Sequence, residues 1–400
     1  TQFSRISLEY HTTNEFRRGG NKFDLQPHET DITEQTKHII NSGGLTYDVF
    51  FNEYKHKLSV YASAQHTDRN SYYGADKAEN AYGKTKDLTA VGGAMYVGNM
   101  DNCLFSPATF TGGLEYQYNS LHDVMTGYGR DLRQDVKIAS GFVQNEWKLD
   151  YFTILAGFRL DKHNLVDNVI FSPRINTLWK PSDKFQGRLT WSTGFRAPQA
   201  YDEDLHVAAV GGEAMEVRLA EGLKPERSNS FSGSVDWSFN FGHFQSNLLI
   251  EGFYTALNDV FYLESLGKDP VSGTLVQERR NGNGARVYGA NIDYKIAHGK
   301  EAQLQLGFTV QRSRYTEAVR WSEDEDVAAI KRMPRTPDYY GYFTFSSAPL
   351  KNFDFSLSGV YTGRMIVPHF AGYIEKDRLE HTPDFMDFNL KLNYTFVLND

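Results

Sequence analysis

The sequence has a single cysteine, Cys103, and no long apolar run. One cysteine cannot form an intrachain disulfide, so the fold must be stable without one. No apolar segment approaches the ~20 residues that a membrane-spanning helix needs. Hydrophobic residues make up only 40% of the chain and the mean hydropathy is -0.52, so a large dry core is not expected. A net charge of -8 argues against nucleic acid as a partner.

What the chain has in abundance is aromatic side chains. It carries 24 Tyr and 28 Phe, and aromatic residues reach 14% of the total. A high aromatic content together with a low mean hydropathy favours strands that have one apolar face and one water-exposed face. A closed barrel of such strands can cross a membrane with segments of only ~9–11 residues.

Period-two alternation is the strongest pattern in the sequence. In residues 386–396, Met386, Phe388 and Leu390 begin an apolar side, and the residues between them are polar throughout. A helix would scatter these residues around its circumference, so the segment is predicted as a strand. With similar segments the pattern predicts about sixteen strands and hardly a convincing helix. The clear segments are 58–64, 110–116, 152–160, 185–195, 231–239, 248–254, 288–294, 304–310, 353–361 and 386–396, and the weaker ones are 6–10, 45–51, 88–97, 138–147, 170–179 and 339–345.

The connections between these strands alternate in length. Short ones are predicted at 52–56, 149–151, 181–184, 240–243, 297–301 and 349–352, and long ones at 14–37, 70–86, 119–135, 196–228, 264–284, 315–337 and 364–384. Alternation of this kind places all long loops on one rim, as in up-and-down outer-membrane barrels. A soluble barrel with its apolar face inward is the alternative, but one layer of side chains cannot fill so wide an interior. We therefore predict an all-β, antiparallel transmembrane barrel.

Three motifs in order carry a family resemblance. SPRINTLWKP at 172–181 is followed by WSTGFRAP at 191–198 and GLKPERS at 222–228, and FVQNEWKL at 142–149 precedes them. This set resembles the barrel of TonB-dependent outer-membrane receptors. The resemblance implies a twenty-two-stranded barrel filled by an N-terminal plug domain, in the outer membrane of a Gram-negative bacterium.

If the resemblance holds, residues 1–400 are a partial barrel domain. Both ends of the sequence are interpreted as cut, with about four wall strands missing before and two after, and with no plug. We then expect a curved open sheet whose free ladder edges lie at 6–10 and 386–396.

The function that the resemblance implies is active import. The receptor would bind a scarce nutrient (a ferric siderophore, a corrinoid or haem) on its extracellular loops and admit it with energy from the TonB complex. Its other partners would be outer-membrane lipid, lipopolysaccharide and a surface lipoprotein; no cofactor and no nucleic acid are expected. A passive sixteen-stranded porin is the alternative. A barrel lipase or protease is a third hypothesis, but no catalytic motif or metal-ligand spacing stands out, so we predict that the chain is not an enzyme.

Arg196 is the most specific candidate for a functional residue. Alternation through 185–195 directs Arg196 toward the lumen at the outer rim, and Pro198 then removes a ladder donor and releases the chain into a loop. Glu226, on the returning strand, is the expected partner of the arginine. Both an architectural role and a ligand-contacting role remain open for Arg196.

Further candidates lie in the predicted long loops, where aromatic rings stand beside cations and could grip a flat or anionic ligand. Lipid-interface or lipopolysaccharide contacts explain the same residues equally well. The resemblance also implies possible haem ligation by His206 in the loop after Pro198, and a solvated loop histidine is the alternative. The acidic run from Glu323 to Asp326 is either a Ca²⁺ site or a solvated loop tip. The ligand candidates are Tyr72, Tyr73, Tyr128, Arg130, Arg196, Tyr201, His206 and Trp321.

Overall fold

A computed structural model of the protein describes residues 3–75, 77–198, 215–268, 270, 275–322, 324, 326–369 and 374–396, with only the backbone at 128, 215, 216, 268 and 275. Within these ranges the chain forms twenty-two strands and two single-turn 3-10 helices, Pro27–Glu29 and Thr126–Tyr128. The strands are β1 Ser4–Gly20, β2 Ile32–Phe51, β3 His56–Ala75, β4 Tyr82–Cys103, β5 Ser106–Met125, β6 Arg130–Lys148, β7 Phe152–His163, β8 Ile170–Ser182, β9 Phe185–Arg196, β10 Met215–Leu219, β11 Glu226–Phe241, β12 Phe244–Asn258, β13 Phe261–Lys268, β14 Leu275–Asn281, β15 Ala285–His298, β16 Ala302–Val319, β17 Ile330–Arg332, β18 Tyr339–Leu350, β19 Phe353–Thr362, β20 Ile366–His369, β21 Arg378–His381 and β22 Phe385–Tyr394. No helix in the described ranges is long and apolar enough to cross a membrane.

Sixteen strands form one continuous antiparallel wall. Strands β1 to β9 pair in chain order, and the wall continues through β11, β12, β15, β16, β18, β19 and β22. The short β17 lies beside the end of β16 and brings this sheet to seventeen strands. In the described part of the chain, β1 and β22 each pair on one side only. The predicted antiparallel up-and-down architecture, its strand number and its two free edges are confirmed.

The first strands are much longer than the sequence pattern predicted. Strands β2 to β6 have 20, 20, 22, 20 and 19 residues, and most of the predicted loops 14–37, 70–86 and 119–135 are strand. The three connections lie within the predicted ranges but are shorter than predicted. Beyond the membrane no lipid selects apolar residues on one face, so the alternation fades although the ladder hydrogen bonds continue.

The two faces of the wall differ in chemistry. In β5, the side chains of Leu114 and Tyr116 are exposed, with Leu114 at 71%, whereas Glu115 between them is hydrogen-bonded to the wall. The same face of other strands carries apolar residues that are more than a third exposed: Ile6, Leu45, Leu58, Phe158, Leu189, Phe231, Ile250, Ile292, Phe308 and Leu390. Such a surface is unfavourable in water by roughly 25 cal/mol per Å². It is the outward, lipid-facing side.

The opposite face is polar and cross-linked. Arg159 of β7 donates to Glu115 of β5 (Nη2–Oε1 3.0 Å) and to Asp161 (Nε–Oδ1 2.7 Å). Tyr61 of β3 also donates to Glu115 (2.7 Å), and Ser140 of β6 donates to Asp161 (2.6 Å). This chain of hydrogen bonds spans five neighbouring strands on the lumenal side. It satisfies charges that could not face lipid.

Stacked aromatic side chains mark the end of the wall that carries the short turns. Phe152 of β7 stacks on Trp179 of β8 with ring centroids 6.5 Å apart, and Phe185 of β9 packs edge-on against the same indole at 5.5 Å. Phe105 and Trp147 stack in the same way at 5.5 Å. Aromatic belts are typical of the membrane–water interfaces of outer-membrane barrels, whose short turns lie on the periplasmic side.

Candidate functional site at the outer rim

The corner where β9 ends and β11 begins is organised around Arg196. Arg196 lies directly opposite Glu226 in the ladder, and its Nη1 is 3.7 Å from Glu226 Oε2. The Arg196 guanidinium also lies 5.7 Å from the centre of the Phe261 ring. Glu226 Oε1 accepts the backbone N–H of Phe261 at 2.5 Å. The predicted partner of Arg196 is confirmed, and Phe261 is a second contact that the sequence did not indicate.

Phe261 joins this corner to a second, smaller sheet. Strand β14 pairs parallel to β10 and antiparallel to β13, which starts at Phe261. Arg279 of β14 is buried, and its guanidinium lies 5.8 Å from the same phenyl ring. These strands come from segments that were predicted as the loops 196–228 and 264–284, so the second of those predictions is wrong throughout β13 and β14. Short, charge-rich strands give little period-two signal.

A cavity of about 570 Å³ lies between this sheet and the outer ends of the wall strands. Asn281 shapes one side, because its side chain donates to the carbonyls of Lys224 (2.9 Å) and Asp259 (2.8 Å) and accepts the N–H of Lys224 (2.7 Å). The remaining lining includes Val260, Phe261, Tyr262, Gly282, Asn283, Gly284, Tyr315, Glu317, Ala318, Val319 and Arg320. The cavity therefore combines aromatic rings with two basic and two acidic side chains, Lys224, Arg320, Asp259 and Glu317.

The chemistry of this cavity suits a flat ligand that carries polar groups. Burial raises the pKa of the Tyr315 phenol, so the side chain stays a neutral hydrogen-bond donor. The Tyr262 ring is partly exposed beside it, and Lys224 and Arg320 supply positive charge. Rings can stack on a planar ligand while the cations make charge-assisted hydrogen bonds to its oxygens.

Two predicted ligand residues, Tyr72 and Tyr73, are buried. Tyr72 is 1% exposed, its hydroxyl donates to the carbonyl of Ala78 at 2.9 Å, and its ring packs edge-on against Tyr82 at 4.8 Å. Tyr73 follows it in β3, so its side chain lies on the opposite face, where it is also buried. Both stabilise the outer ends of the long strands, and neither ring is presented to a ligand.

Arg130 is part of a buried ion cluster. Its Nη2 lies 2.7 Å from Asp123 Oδ2, and Arg69 Nη2 lies 3.3 Å from Asp123 Oδ1. Thr85 donates a short hydrogen bond to the same carboxylate. This arrangement cross-links β3 to β6 above the membrane. The side chain of the neighbouring candidate, Tyr128, lies outside the described atoms.

The segment around Trp321 contacts the hairpin of β20 and β21. Trp321 is half-buried, and the next residue, Ser322, donates to Asp377 at 2.5 Å. In the acidic run, Asp326 is 3.3 Å from Lys376 Nζ, and its backbone N–H donates to Asp324. Within the described ranges no group of three or more His, Cys, Asp or Glu side chains could hold a metal ion. Glu323, Tyr201 and His206 lie outside those ranges.

The predicted candidates do not form one site. Tyr72, Tyr73 and Arg130 belong to the outer ends of β3 to β6, whereas Arg196 belongs to the corner and Trp321 to the loop after β16. Sequence reasoning missed Tyr262, Tyr315 and Asn281, which line the cavity.

A meandering antiparallel wall with a lipid-facing apolar side and a polar inner side is the architecture of an outer-membrane β-barrel protein. The family model "TonB dependent receptor-like, beta-barrel" matches residues 3–399. The chain belongs to this family of Gram-negative outer-membrane proteins, and the resemblance carried by the three motifs is confirmed.

Comparisons with known proteins agree with this family assignment. The iron-regulated outer membrane virulence protein of Vibrio cholerae is 29% identical over 172 residues, which is 42% of this chain and 25% of that protein. The siderophore receptor PirA from Acinetobacter baumannii has the same fold at 13% identity and a TM-score of 0.70, covering 99% of this chain and 63% of that one. The FrpB iron transporter from Neisseria meningitidis is similar at 13% identity and a TM-score of 0.71, covering 98% and 63%. The chain thus spans less than two thirds of the proteins it resembles.

Proposed function

We propose that this chain forms the wall of an active importer that binds a ferric siderophore at its outer rim and admits it through the lumen with energy from the TonB complex. The observation that carries the proposal is the family match over nearly the whole chain. The proposal of an iron-containing ligand is based on the relatives. One is an iron-regulated protein, one is a siderophore receptor, and the structure of a receptor from Pseudomonas aeruginosa contains enterobactin.

The cavity beside β13 offers groups that can contact a ferric siderophore, and the names of the relatives favour this ligand over the other two nutrients. Ferric complexes of acidic chelators are anionic and present flat aromatic or carbonyl groups, which Tyr262, Lys224 and Arg320 can contact by stacking and charge. His206, the candidate for haem ligation, lies outside the described residues, and none of the relatives named here is described as a haem or corrinoid receptor. Tyr72 and Tyr73 are not proposed as ligand contacts because their side chains are buried.

Radiolabelled uptake in cells tests the proposal. A strain that lacks the gene and carries the full-length wild type should take up ⁵⁵Fe-enterobactin with saturation, and uptake should stop when TonB is deleted. Uptake that is linear in concentration and independent of TonB would instead indicate the passive porin. Saturable, TonB-dependent uptake of haem or cobalamin, but not of iron chelates, would overturn the ligand class alone.

Variants of the cavity locate the binding site. Tyr262→Ala combined with Lys224→Gln removes one stacking ring and one cation, each worth about 1 kcal/mol, so the half-saturation concentration should rise roughly tenfold or more. Tyr151→Ala combined with Lys184→Gln makes the same chemical change at the short-turn rim and should leave uptake unchanged. Equal effects of the two pairs would argue against the cavity.

A further inference from the structure

The cavity at the outer rim is lined by charged side chains of both signs that are not paired with one another. Lys224 and Arg320 supply the positive charges, and Asp259 and Glu317 supply the negative charges. In the described part of the chain, none of these four side chains takes part in an ion pair. The Arg320 guanidinium donates to the backbone carbonyl of Asp324 at 3.4 Å. The cavity therefore offers two cations and two carboxylates to a ligand.

The strand register separates the two acidic residues by the width of two strands. Leu257 of β12 and Tyr315 of β16 pair with Ala285 of β15 from its two sides, so they lie about 10 Å apart. Asp259 and Glu317 come two residues later on the same two segments, at the outer end of the wall. At this distance Glu317 adds negative potential to the place where a ligand can contact Asp259 directly.

Neighbouring amide side chains hold both acidic residues in place. Asn281 donates to the backbone carbonyl of Asp259 at 2.8 Å, and Asp259 has a φ of 54°, in the left-handed region that Asp and Asn tolerate. The carboxylate of Asp259 accepts no hydrogen bond from the described part of the chain. Asn283 donates to Oε2 of Glu317, and Oε1 is left for a ligand. The wall thus positions two carboxylates that can still accept hydrogen bonds.

Charge complementarity favours a ligand that carries both signs. A purely anionic ligand can contact Lys224 and Arg320, but it brings like charge toward Asp259 and Glu317, which weakens binding. A ligand with an ammonium group beside its anionic part can form charge-assisted hydrogen bonds with both sets of side chains. The cavity volume of about 570 Å³ lies in the range of sites that hold one small molecule, so a single ligand can reach both sets.

We propose that the cavity selects ferric siderophores that carry a free ammonium group beside an anionic, aromatic chelate. The chelate stacks on Tyr262 and contacts Lys224 and Arg320. The ammonium group donates to the carboxylate of Asp259, and Glu317 strengthens this preference by its charge. The inference rests on the proposed function, since it names the class of siderophore that the same cavity takes.

The test compares the uptake of two matched ⁵⁵Fe chelates by cells that carry the full-length protein. One is a linear tris-catecholate with one free primary amine, and the other is its N-acetyl form, which lacks that positive charge. A partly exposed ion pair strengthens binding by up to about fivefold, so the half-saturation concentration of the amine form should be roughly three- to fivefold lower. Asp259→Asn with Glu317→Gln should abolish this difference without weakening uptake of the N-acetyl form. The matched control, Asp150→Asn with Glu53→Gln, changes two exposed residues of the short-turn rim and should keep the difference.

The remaining outcomes contradict the inference in different ways. A difference between the chelates that survives in the cavity variant, or that is lost in the control, would overturn it. Equal loss of both chelates in the cavity variant would show that the carboxylates support the fold of the rim instead, and would also overturn it. Saturable, TonB-dependent uptake of ferric enterobactin with no advantage for the free amine would overturn the inference and leave the proposed function intact. No saturable uptake of any ferric chelate would overturn both.

Discussion

The lumenal hydrogen-bond network makes a quantitative prediction for Arg159→Met. Arg159 is the central member, since it bonds both to Asp161 and to Glu115. The Asp161 carboxylate is 2% exposed and would keep only the hydroxyl of Ser140 after the substitution. A nearly buried carboxylate would therefore lose its only cationic partner among the described residues.

The expected loss follows from this geometry. Removing one partner of a fully buried ion pair costs about 3–5 kcal/mol, because the other charge is left uncompensated. The Arg159 side chain is 36% exposed, so water screens part of the interaction and the estimate falls to about 2–3 kcal/mol. Replacing both partners, as in Arg159→Met with Asp161→Leu, should recover part of the loss, since the buried carboxylate is gone and only the half-buried Glu115 is left without its cation.

Urea unfolding of the barrel in lipid vesicles, followed by tryptophan fluorescence, measures these free energies. The matched control is Arg188→Met, since Arg188 faces the same lumen but has no ion pair in the described part of the chain. It should change the free energy of unfolding by less than about 0.5 kcal/mol. The reasoning is refuted if Arg159→Met is no more destabilising than Arg188→Met, or if the double variant loses the sum of its single losses.

Three further predictions concern packing and the rim. Gly289→Val should destabilise the barrel by about 1–3 kcal/mol, because its Cβ would overlap a carbonyl oxygen of β16, whereas Gly252→Val, in open space on the lipid-facing side, should be neutral in the same unfolding assay. Arg196→Ala should cost less than about 1 kcal/mol, since its ion pair is long and half-exposed, yet it should speed proteolysis within β13 and β14; loss of the folded barrel would contradict this. Tyr72→Ala should cost about 3–5 kcal/mol and loosen the outer ends of β2 to β5 in hydrogen exchange, whereas the exposed Tyr54→Ala should cost almost nothing.

The membrane-embedded part of the wall could be predicted from the sequence, and the reason is physical. Because one face of the wall contacts lipid and the other contacts water, alternate residues are apolar and polar, as in Leu114, Glu115 and Tyr116. The same parity correctly directed Arg196 toward Glu226. For a motif in a regular strand, the face to which each side chain points can be predicted from the sequence.

Outside the membrane this constraint is absent, and the predictions from sequence are less accurate there. Tyr72 and Tyr73 were predicted to contact a ligand because aromatic residues in loops often do, but the strands continue and bury them. Strands β10, β13 and β14 are short and charged, and β10 pairs with a strand far along the chain, so no local pattern marks them. The cavity lined by Tyr262 and Tyr315 depends on that pairing and could not be predicted from local sequence.

The claim on which the whole account depends is that alternate residues of the wall face lipid and lumen. Single cysteines placed in turn at residues 231–235 of β11, in a Cys103→Ser background, can be spin-labelled in the reconstituted full-length protein. Labels at Phe231, Gly233 and Val235 should be accessible to oxygen in the bilayer, and labels at Ser232 and Ser234 to a water-soluble nickel complex. Uniform accessibility along the strand, or the opposite alternation, would contradict the account.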